Sequence, residues 1–412
     1  MIINVSKKTK FDTESSMLTF DETFVKNDIR QFLMEDKKRR MFSESRIINT
    51  INMIPTMMCD GACSYCYNIN ELNQGKSFLD FETFENTMED LITKGAKIEL
   101  HTVKLYGGEP LLNPKLDSLL INILKKYNIE TLYISSGLLF NDKKFKAAIE
   151  KIKNILKYYK DLTIGISVDF GLTDEQFTRV SNKAFINRNI LLKRGEELQK
   201  IGVTVVYTSI VSRNVDMDLL KTHITKHFRS SKYPNFFYRL SVANSDDLYP
   251  TEDQIYSLYN LYNELYDKVG MTSNLFSYTD VVNFPNVFKI DKNNYMFVYP
   301  SNYCGMFDNM ITILPDGQVT ACQMEPDIES STMSKEQHDY FFKNEKCDNC
   351  DFYPVCRGLC VNRNLQAPEA MDVYCLWAKL SFELALKRSY VLAGGTDEQF
   401  KKYIDNISLK TE

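Results

Sequence analysis

No stretch of this 412-residue sequence approaches the roughly 18 uninterrupted apolar residues of a membrane-crossing helix. The opening residues, Met1-Ile2-Ile3-Asn4-Val5-Ser6-Lys7-Lys8, also lack the apolar run of a secretory signal. Neither sign of charge is in surplus: 50 basic residues stand against 54 acidic ones, a formal net charge of −4. Nucleic acid and membrane are therefore not expected as partners. The short clusters Lys7-Lys8 and Lys37-Lys38-Arg39-Arg40 read as exposed charge. Internal repeats and low-complexity tracts are absent too. With no export signal, the ten cysteines are poor candidates for disulfides and better ones for metal ligands in a reducing, cytoplasmic compartment.

What is present is an ordinary globular composition, 44% hydrophobic and 25% charged, with enough length for two or three domains. Residues 1–45 are polar and of mixed charge and read as an N-terminal extension. From residue 46 apolar, β-branched strands alternate with helices. Strands are expected at Ile47–Met57, Ile98–Tyr106, Glu130–Ser135, Leu162–Val168, Val203–Val211 and Phe236–Val242. Between them fall helices over Phe81–Lys94, Lys115–Tyr127, Lys143–Tyr159, Lys183–Lys200 and Asp216–Phe228. Asp80 is placed to cap the first of these and Gly95 to stop it. Such β-then-α units imply a parallel sheet with right-handed crossovers, an α/β fold whose chemistry gathers at the strand C-termini. A helix over Thr251–Gly270 carries Tyr256, Tyr259, Tyr262 and Tyr266 at helical spacing, read as a packing face. Residues 271–300 lack periodicity and read as a linking segment. Pro315-Asp316-Gly317, flanked by Met310–Leu314 and Gln318–Cys322, reads as a β-hairpin.

The organising stretch is Cys59-x3-Cys63-x2-Cys66, three thiols within eight residues and no fourth in the loop. Three such ligands suit three corners of a cubane iron–sulfur cluster and leave one iron open; a zinc loop with a distant fourth ligand is the alternative. Gly107-Gly108-Glu109-Pro110, Ser135-Ser136-Gly137 and Ser167-Val168-Asp169 fall at further strand ends. The other seven cysteines all follow residue 300: Cys304, Cys322, then Cys347-x2-Cys350-x5-Cys356-x3-Cys360, and Cys375. Alone, the Cys347–Cys360 run reads equally well as a zinc knuckle. Beside the first triplet, seven ligands divide naturally into four and three.

These residues resemble the radical S-adenosylmethionine superfamily, in particular its members with the auxiliary-cluster extension called the SPASM domain. The cysteine loop, with Tyr65 before the last cysteine, is similar to the family's cluster loop. Gly107–Pro110 is similar to the motif that meets the methionine amino group. The C-terminal cysteines, with Gly317-x4-Cys322, resemble the extension's signature.

The resemblance implies a partial (β/α)6 TIM-like barrel over 46–245, with a helix and linking segment at 246–300. It further implies a small cysteine-rich SPASM domain with a β-hairpin and helices at 301–395, and a tail at 396–412. The implied cofactors are S-adenosyl-L-methionine on a [4Fe-4S] cluster held by Cys59, Cys63 and Cys66, and two auxiliary [4Fe-4S] clusters. Tyr65, Gly107, Gly108, Glu109, Ser135 and Ser167 would bind the cofactor, with Glu109 as an acceptor for its ammonium and Arg179 or Arg188 clamping its carboxylate. Cys304, Cys322 and Cys360 would hold the first auxiliary cluster, whose fourth iron is left open. Cys347, Cys350, Cys356 and Cys375 would hold the second.

The chemistry so implied is reductive cleavage of S-adenosylmethionine to a 5′-deoxyadenosyl radical, followed by hydrogen abstraction. The expected substrate is a ribosomally made peptide that is cross-linked or oxidised. The expected partners are a reductant such as flavodoxin or ferredoxin and a separate leader-peptide-binding protein. Oxidation of a small-molecule alcohol or cofactor precursor is the alternative, and a non-catalytic electron-transfer protein a third. Sulfatase maturation is disfavoured: relatives of that type carry an aspartate base where this sequence has Gln323, an amide that cannot accept a proton near neutral pH.

Overall fold

The computed structural model describes residues 2–6, 9–12, 17–19, 47–61, 63, 66, 77–138, 141–173, 180–181, 184–185, 188–228, 237–242, 248–269, 288–291, 294–297, 309–322, 325–329, 347 and 367–392. Three short N-terminal strands come first, β1 (Ile2–Ser6), β2 (Thr9–Asp12) and β3 (Met17–Thr19). The barrel strands follow: β4 (Ile47–Met53), β5 (Lys97–Leu105), β6 (Thr131–Ser136) and β7 (Thr163–Ser167). A small antiparallel pair, β8 (Val180–Ser181) with β9 (Ala184–Phe185), precedes β10 (Thr204–Val211) and β11 (Phe237–Val242). Then come β12 (Phe288–Asp291), β13 (Asn294–Phe297), β14 (Met310–Ile313), β15 (Val319–Cys322) and β16 (Glu325–Glu329).

The main sheet runs β11-β10-β7-β6-β5-β4-β14-β15-β16. Its seven strands from β11 to β14 are parallel, and the sheet does not close on itself. This is the expected α/β partial barrel with one strand more than six. The extra strand is β14, the first arm of the hairpin. It pairs parallel with β4, Ile311 opposite Ile51 and Ile313 opposite Met53, and the Ile54 amide continues the ladder to the Ile313 carbonyl at 2.8 Å. Gly317 makes the turn with φ of +88°, where a β-carbon would lie 2.9 Å from both Thr83 Cγ2 and Thr87 Oγ1. The hairpin is thus continuous with the barrel sheet.

Helices α1 (Phe81–Thr93), α2 (Leu116–Lys126), α3 (Asp142–Leu156), α4 (Arg188–Lys200) and α5 (Met217–Phe228) connect the parallel strands. One face of the sheet, including Ile51, Met53, Val103, Leu105, Ile134 and Ile166, is buried at or near zero exposure in one core with Phe84, Leu119, Leu120, Ile152 and Leu191 of the helices. Each such side chain contributes about 1.5–3 kcal/mol. Asp80 caps α1 as expected, accepting from the Thr83 amide at 2.9 Å, and Gly95 follows the helix with φ of +93°. The Lys115 ammonium and that cap hold the Asp80 carboxyl at about 2.

The fourth helix differs from expectation. It begins at Arg188 rather than Lys183, because Ala184-Phe185 pairs with Val180-Ser181 as β-strand; an aromatic next to the β-branched Ile186 favours extended backbone. Helix α6 (Glu252–Val269) packs on α7 (Met371–Leu392). Its buried stripe is made chiefly of Ile255, Leu258, Leu261 and Leu265. Of the tyrosines, Tyr262 is fully buried with its ring 6.1 Å from Trp377, Tyr259 lies against the core, and Tyr256 is exposed. The Tyr266 side chain lies outside the described residues.

A second sheet has the order β1-β2-β3-β13-β12. Met17 and Leu18 pair with Met296 and Tyr295. The N-terminal extension and the segment read as a linker therefore share one antiparallel sheet. Among the described residues no helix is long and apolar enough to cross a membrane.

Candidate cluster and cofactor site

The cysteine loop leaves the C-terminal end of β4 and returns to α1 through a narrow neck. The Leu79 amide donates to the Pro55 carbonyl at 3.0 Å. Asn113, wholly buried, closes the same neck from the third side: its amide nitrogen donates to Pro55 O at 3.0 Å and to Leu79 O at 2.9 Å. Its carbonyl oxygen accepts from the Lys115 amide at 2.8 Å. Lys151 ties the same turn down by donating to Leu111 O and Asn113 O. Nothing in the spacing of Asn113 marked it; only its place three residues past the Gly-Gly-Glu-Pro run could have drawn attention.

Gly107-Gly108-Glu109 runs alongside the loop's first arm. Tyr106, Gly108 and Glu109 amides donate to the Met53, Thr56 and Met58 carbonyls at 2.8, 3.1 and 2.7 Å. The glycines are required by that approach. Gly107 has φ of +107°, and a β-carbon on Gly108 would sit 2.5 Å from the Met58 carbonyl oxygen.

The Glu109 carboxylate turns inward. It is 2% exposed and accepts from Ser136 Oγ at 2.8 and 2.9 Å, and from the Gly137, Leu138 and Leu111 amides at 2.9, 3.2 and 3.3 Å. Burial pushes its carboxyl up to about 7, against the pull of those hydrogen bonds. Leu138 takes φ of +49° to bring its amide there, and Arg194 holds the turn by donating to the Leu138 carbonyl and, at 2.8 Å, to Asp142. Glu109 thus joins the cluster loop to the end of β6.

Within the loop, the Gly61 amide donates to Cys59 Sγ at 3.2 Å and the Cys66 amide to the Cys63 carbonyl at 3.1 Å. Burial first, then the Glu109 charge and the nearby Cys63 and Cys66, push the Cys59 thiol up to about 12. A bound cation would offset these effects and let Cys59 ionise, and an iron cluster would supply one. Among the described residues no three His, Cys, Asp or Glu side chains close around a point as a single metal ion would require. Tyr65 lies outside the described residues. Asp60 is strapped to Lys144 of α3 at 2.6 Å, a partly exposed pair.

Ser135 and Ser167 come onto one face of neighbouring strands: Ser135 stands opposite Gly165, and Ser167 accepts from Thr208 Oγ1 at 3.3 Å. It is Ser136, not singled out by sequence, that meets Glu109. Arg188 is 7% exposed and donates to main-chain carbonyls of the turn after β7, those of Val168, Asp169 and Leu172. Of the two clamp candidates it therefore stitches that turn, and Arg179 lies outside the described residues. Asp169, at φ of +43°, accepts from the Ile210 amide at 3.2 Å, and burial pushes its carboxyl to about 7.

Of the C-terminal cysteines, Cys322 ends β15, Cys347 is buried and Cys375 is half-buried on α7. Cys304, Cys350, Cys356, Cys360 and Gln323 lie outside the described residues.

Comparison with known proteins agrees with this geometry. Residues 53–224 match the Radical SAM superfamily. The GTP 3′,8-cyclase of Limosilactobacillus fermentum is 26% identical over 181 residues, 41% of this chain and 53% of that protein, so the chain spans about half the length of the relative it matches. Among solved structures, native anSMEcpe with bound S-adenosylmethionine is similar with a TM-score of 0.56 at 16% identity, over 84% of this chain and 99% of that one. Streptococcus suis SuiB bound to its precursor peptide SuiA is similar with a TM-score of 0.52 at 14% identity, over 83% of this chain and 79% of that one. At such identities the likeness is one of fold. The match over residues 53–224 covers less than half of the chain, and a domain of that superfamily implies a [4Fe-4S] cluster and S-adenosylmethionine.

Proposed function

We propose that this chain is a radical S-adenosylmethionine enzyme that removes a hydrogen atom from a ribosomally made peptide, leading to a cross-link or an oxidised residue. The observation that carries the reading is the junction of three elements at the strand C-termini: the three-cysteine loop, its neck closed by Asn113, and the Gly107-Gly108-Glu109 turn laid against it. When bound, the cluster supplies the electron that cleaves S-adenosylmethionine to the abstracting radical.

The chain's own part is placement. Cys59, Cys63 and Cys66 hold three irons. Gly107 and Gly108 keep their backbone free of side chains where the methionine end of the cofactor would lie, and Glu109 holds that backbone from behind. Ser135 and Ser167, on one face of neighbouring strands, would contact the rest of the cofactor. Cys304, Cys322 and Cys360 would hold a first auxiliary cluster with an open iron, and Cys347, Cys350, Cys356 and Cys375 a second. These clusters would take the second electron of the oxidation, while a flavodoxin- or ferredoxin-like reductant would supply the first electron to the loop cluster.

The peptide reading is supported by the fold shared with SuiB, which was solved with a precursor peptide. The sheet formed by residues 2–19 and 288–297 is a candidate place for such a peptide, or for a separate leader-binding protein. A small-molecule substrate is the second reading, favoured by the sequence likeness to a protein named for acting on GTP.

Anaerobic incubation of reconstituted protein with S-adenosylmethionine and dithionite is expected to yield 5′-deoxyadenosine, and its absence would end the enzymatic reading. Co-expression with short neighbouring reading frames, followed by mass spectrometry, separates the substrates. A precursor lighter by two hydrogens supports cross-linking, whereas unmodified peptides favour the small molecule.

A further inference from the structure

Charge is balanced over the chain as a whole but not along it. Residues 115–160 carry ten lysines against four carboxylates, in a chain whose formal net charge is −4. The surplus lies on α2, α3 and the turn after α3, and of these lysines all but Lys151 are exposed. A run of exposed lysines is ordinarily no more than a solvated helix face. Its place beside the cluster loop and its unpaired charge set this one apart.

Near its C-terminal end α3 meets the start of α2, where Asn154 Nδ2 donates to Asp117 Oδ2 at 3.0 Å. Lys151 reaches the Leu111 and Asn113 carbonyls of the loop neck. The part of α3 before Lys151 therefore runs on past the neck and along the cluster loop. Lys144 marks that course: its ammonium holds both carboxylate oxygens of Asp60, the residue after Cys59, at 2.8 and 2.6 Å. The Gly107–Glu109 turn covers the first arm of the same loop from the other side.

The carboxylates here are already engaged, Asp60 by Lys144, Asp142 by Arg194 and Glu150 by Lys153. Lys143 and Lys146 flank Lys144, are exposed, and make no ion pair among the described residues. A one-signed face of this kind draws in partners of opposite charge and raises their association rate by about 10- to 1,000-fold. Short-lived redox encounters need only a small interface, which one such face can supply.

We infer that the lysine face of α3, centred on Lys143 and Lys146, docks an acidic one-electron carrier protein of the flavodoxin or ferredoxin type beside the cluster loop. The reduced carrier gives one electron to the loop cluster and is itself oxidised by one; no atom or proton changes hands. This rests on the radical-enzyme reading above and places its reductant.

The test uses the reconstituted full chain, with a flavodoxin of net negative charge as the probe. Association is measured with fluorescently labelled flavodoxin, and 5′-deoxyadenosine formation is driven either by reduced flavodoxin or by dithionite. At low ionic strength K143E/K146E is expected to bind flavodoxin about tenfold more weakly and to be driven by it about tenfold more slowly. The gap should close at about 0.5 M salt, where surface charge is screened. K143R/K146R should match wild type. K94E/K97E, with the same change of charge at the opposite end of β5, should stay within about twofold of it. Driven by dithionite, every variant should match wild type in rate and iron content, which also reports that it folds; Glu is well tolerated in the first turns of a helix.

Flavodoxin binding by K143E/K146E equal to wild type overturns the inference, as does wild-type protein that does not bind flavodoxin. Equal losses in K94E/K97E overturn it too, because net charge rather than this face would then steer the carrier. A matching loss with dithionite also overturns it, since the lysines would then serve the site or an acidic peptide. Wild-type protein that forms no 5′-deoxyadenosine with dithionite ends the enzymatic reading itself, and the association measurement still decides the docking face.

Discussion

Glu109 and Asp169 are buried carboxyls near the ends of sheet strands, and each accepts from main-chain amides. Glu109 sits in a motif legible from sequence, but its donors were not, because Ser136, Gly137 and Leu138 meet it only when β5 and β6 lie side by side. Replacing Glu109 by Gln puts an amide NH2 against the Gly137 and Leu138 N–H groups. The expected cost is about 1–3 kcal/mol for donors left unmet, read as a lower urea midpoint together with weaker S-adenosylmethionine binding. Asp169 supplies a pH signature. Its folded pKa of about 7 is raised above the unfolded value by burial. Its contribution to stability is therefore full below the unfolded pKa and is lost as pH rises through about 7. Wild-type protein should lose stability relative to Asp169→Asn as pH rises from about 4 to about 7 and level off above that, with a slope no steeper than about 1.4 kcal/mol per pH unit. Parallel urea titrations at several pH values check this, and coincident slopes would count against a raised Asp169.

At the scale of elements, the cluster loop is a long excursion whose two ends are held by one asparagine. Asn113→Ala removes two donors to the Pro55 and Leu79 carbonyls at a site with no solvent. The expected loss is about 2 kcal/mol, with faster release of iron from the loop cluster on chelator challenge. Iron retention equal to wild type would show that the neck is redundant. Most elements were legible, since strand alternation, the Asp80 cap and the glycine stop after α1 are local signals. The pair β8–β9 was not legible, because Ala184-Phe185 satisfies a helical reading until Val180-Ser181 is brought against it. The tyrosines of α6 were legible as a packing face only in part, since at that spacing Ile and Leu compete for the same stripe and won most of it.

For the whole molecule, the unexpected joins are between distant segments. β14 extends the barrel sheet beside β4, carrying its hairpin partner β15 and Cys322 with it, and β3 pairs with β13 across about two thirds of the chain. If all ten cysteines hold cubanes, reconstituted protein should contain about twelve irons per chain. The joint replacement of Cys59, Cys63 and Cys66 by Ala should lower that to about eight and abolish 5′-deoxyadenosine. Four irons with two zincs in wild-type protein would instead make the C-terminal cysteines a zinc module.

The sequence by itself determined what is local: the thiol spacing, the glycines that allow close backbone approach, the helix caps and the alternation that makes a parallel α/β sheet. These follow from the stereochemistry of a few adjacent residues. Only the tertiary structure decided that Glu109 faces Ser136 rather than outward, that Asn113 closes the loop, and that Arg188 donates to the carbonyls of the turn after β7. Each of these depends on partners 16 to more than 50 residues apart, and a hydrogen bond or a register across that distance has no trace in local pattern. The cluster loop was visible from its own residues; what holds it in place was not.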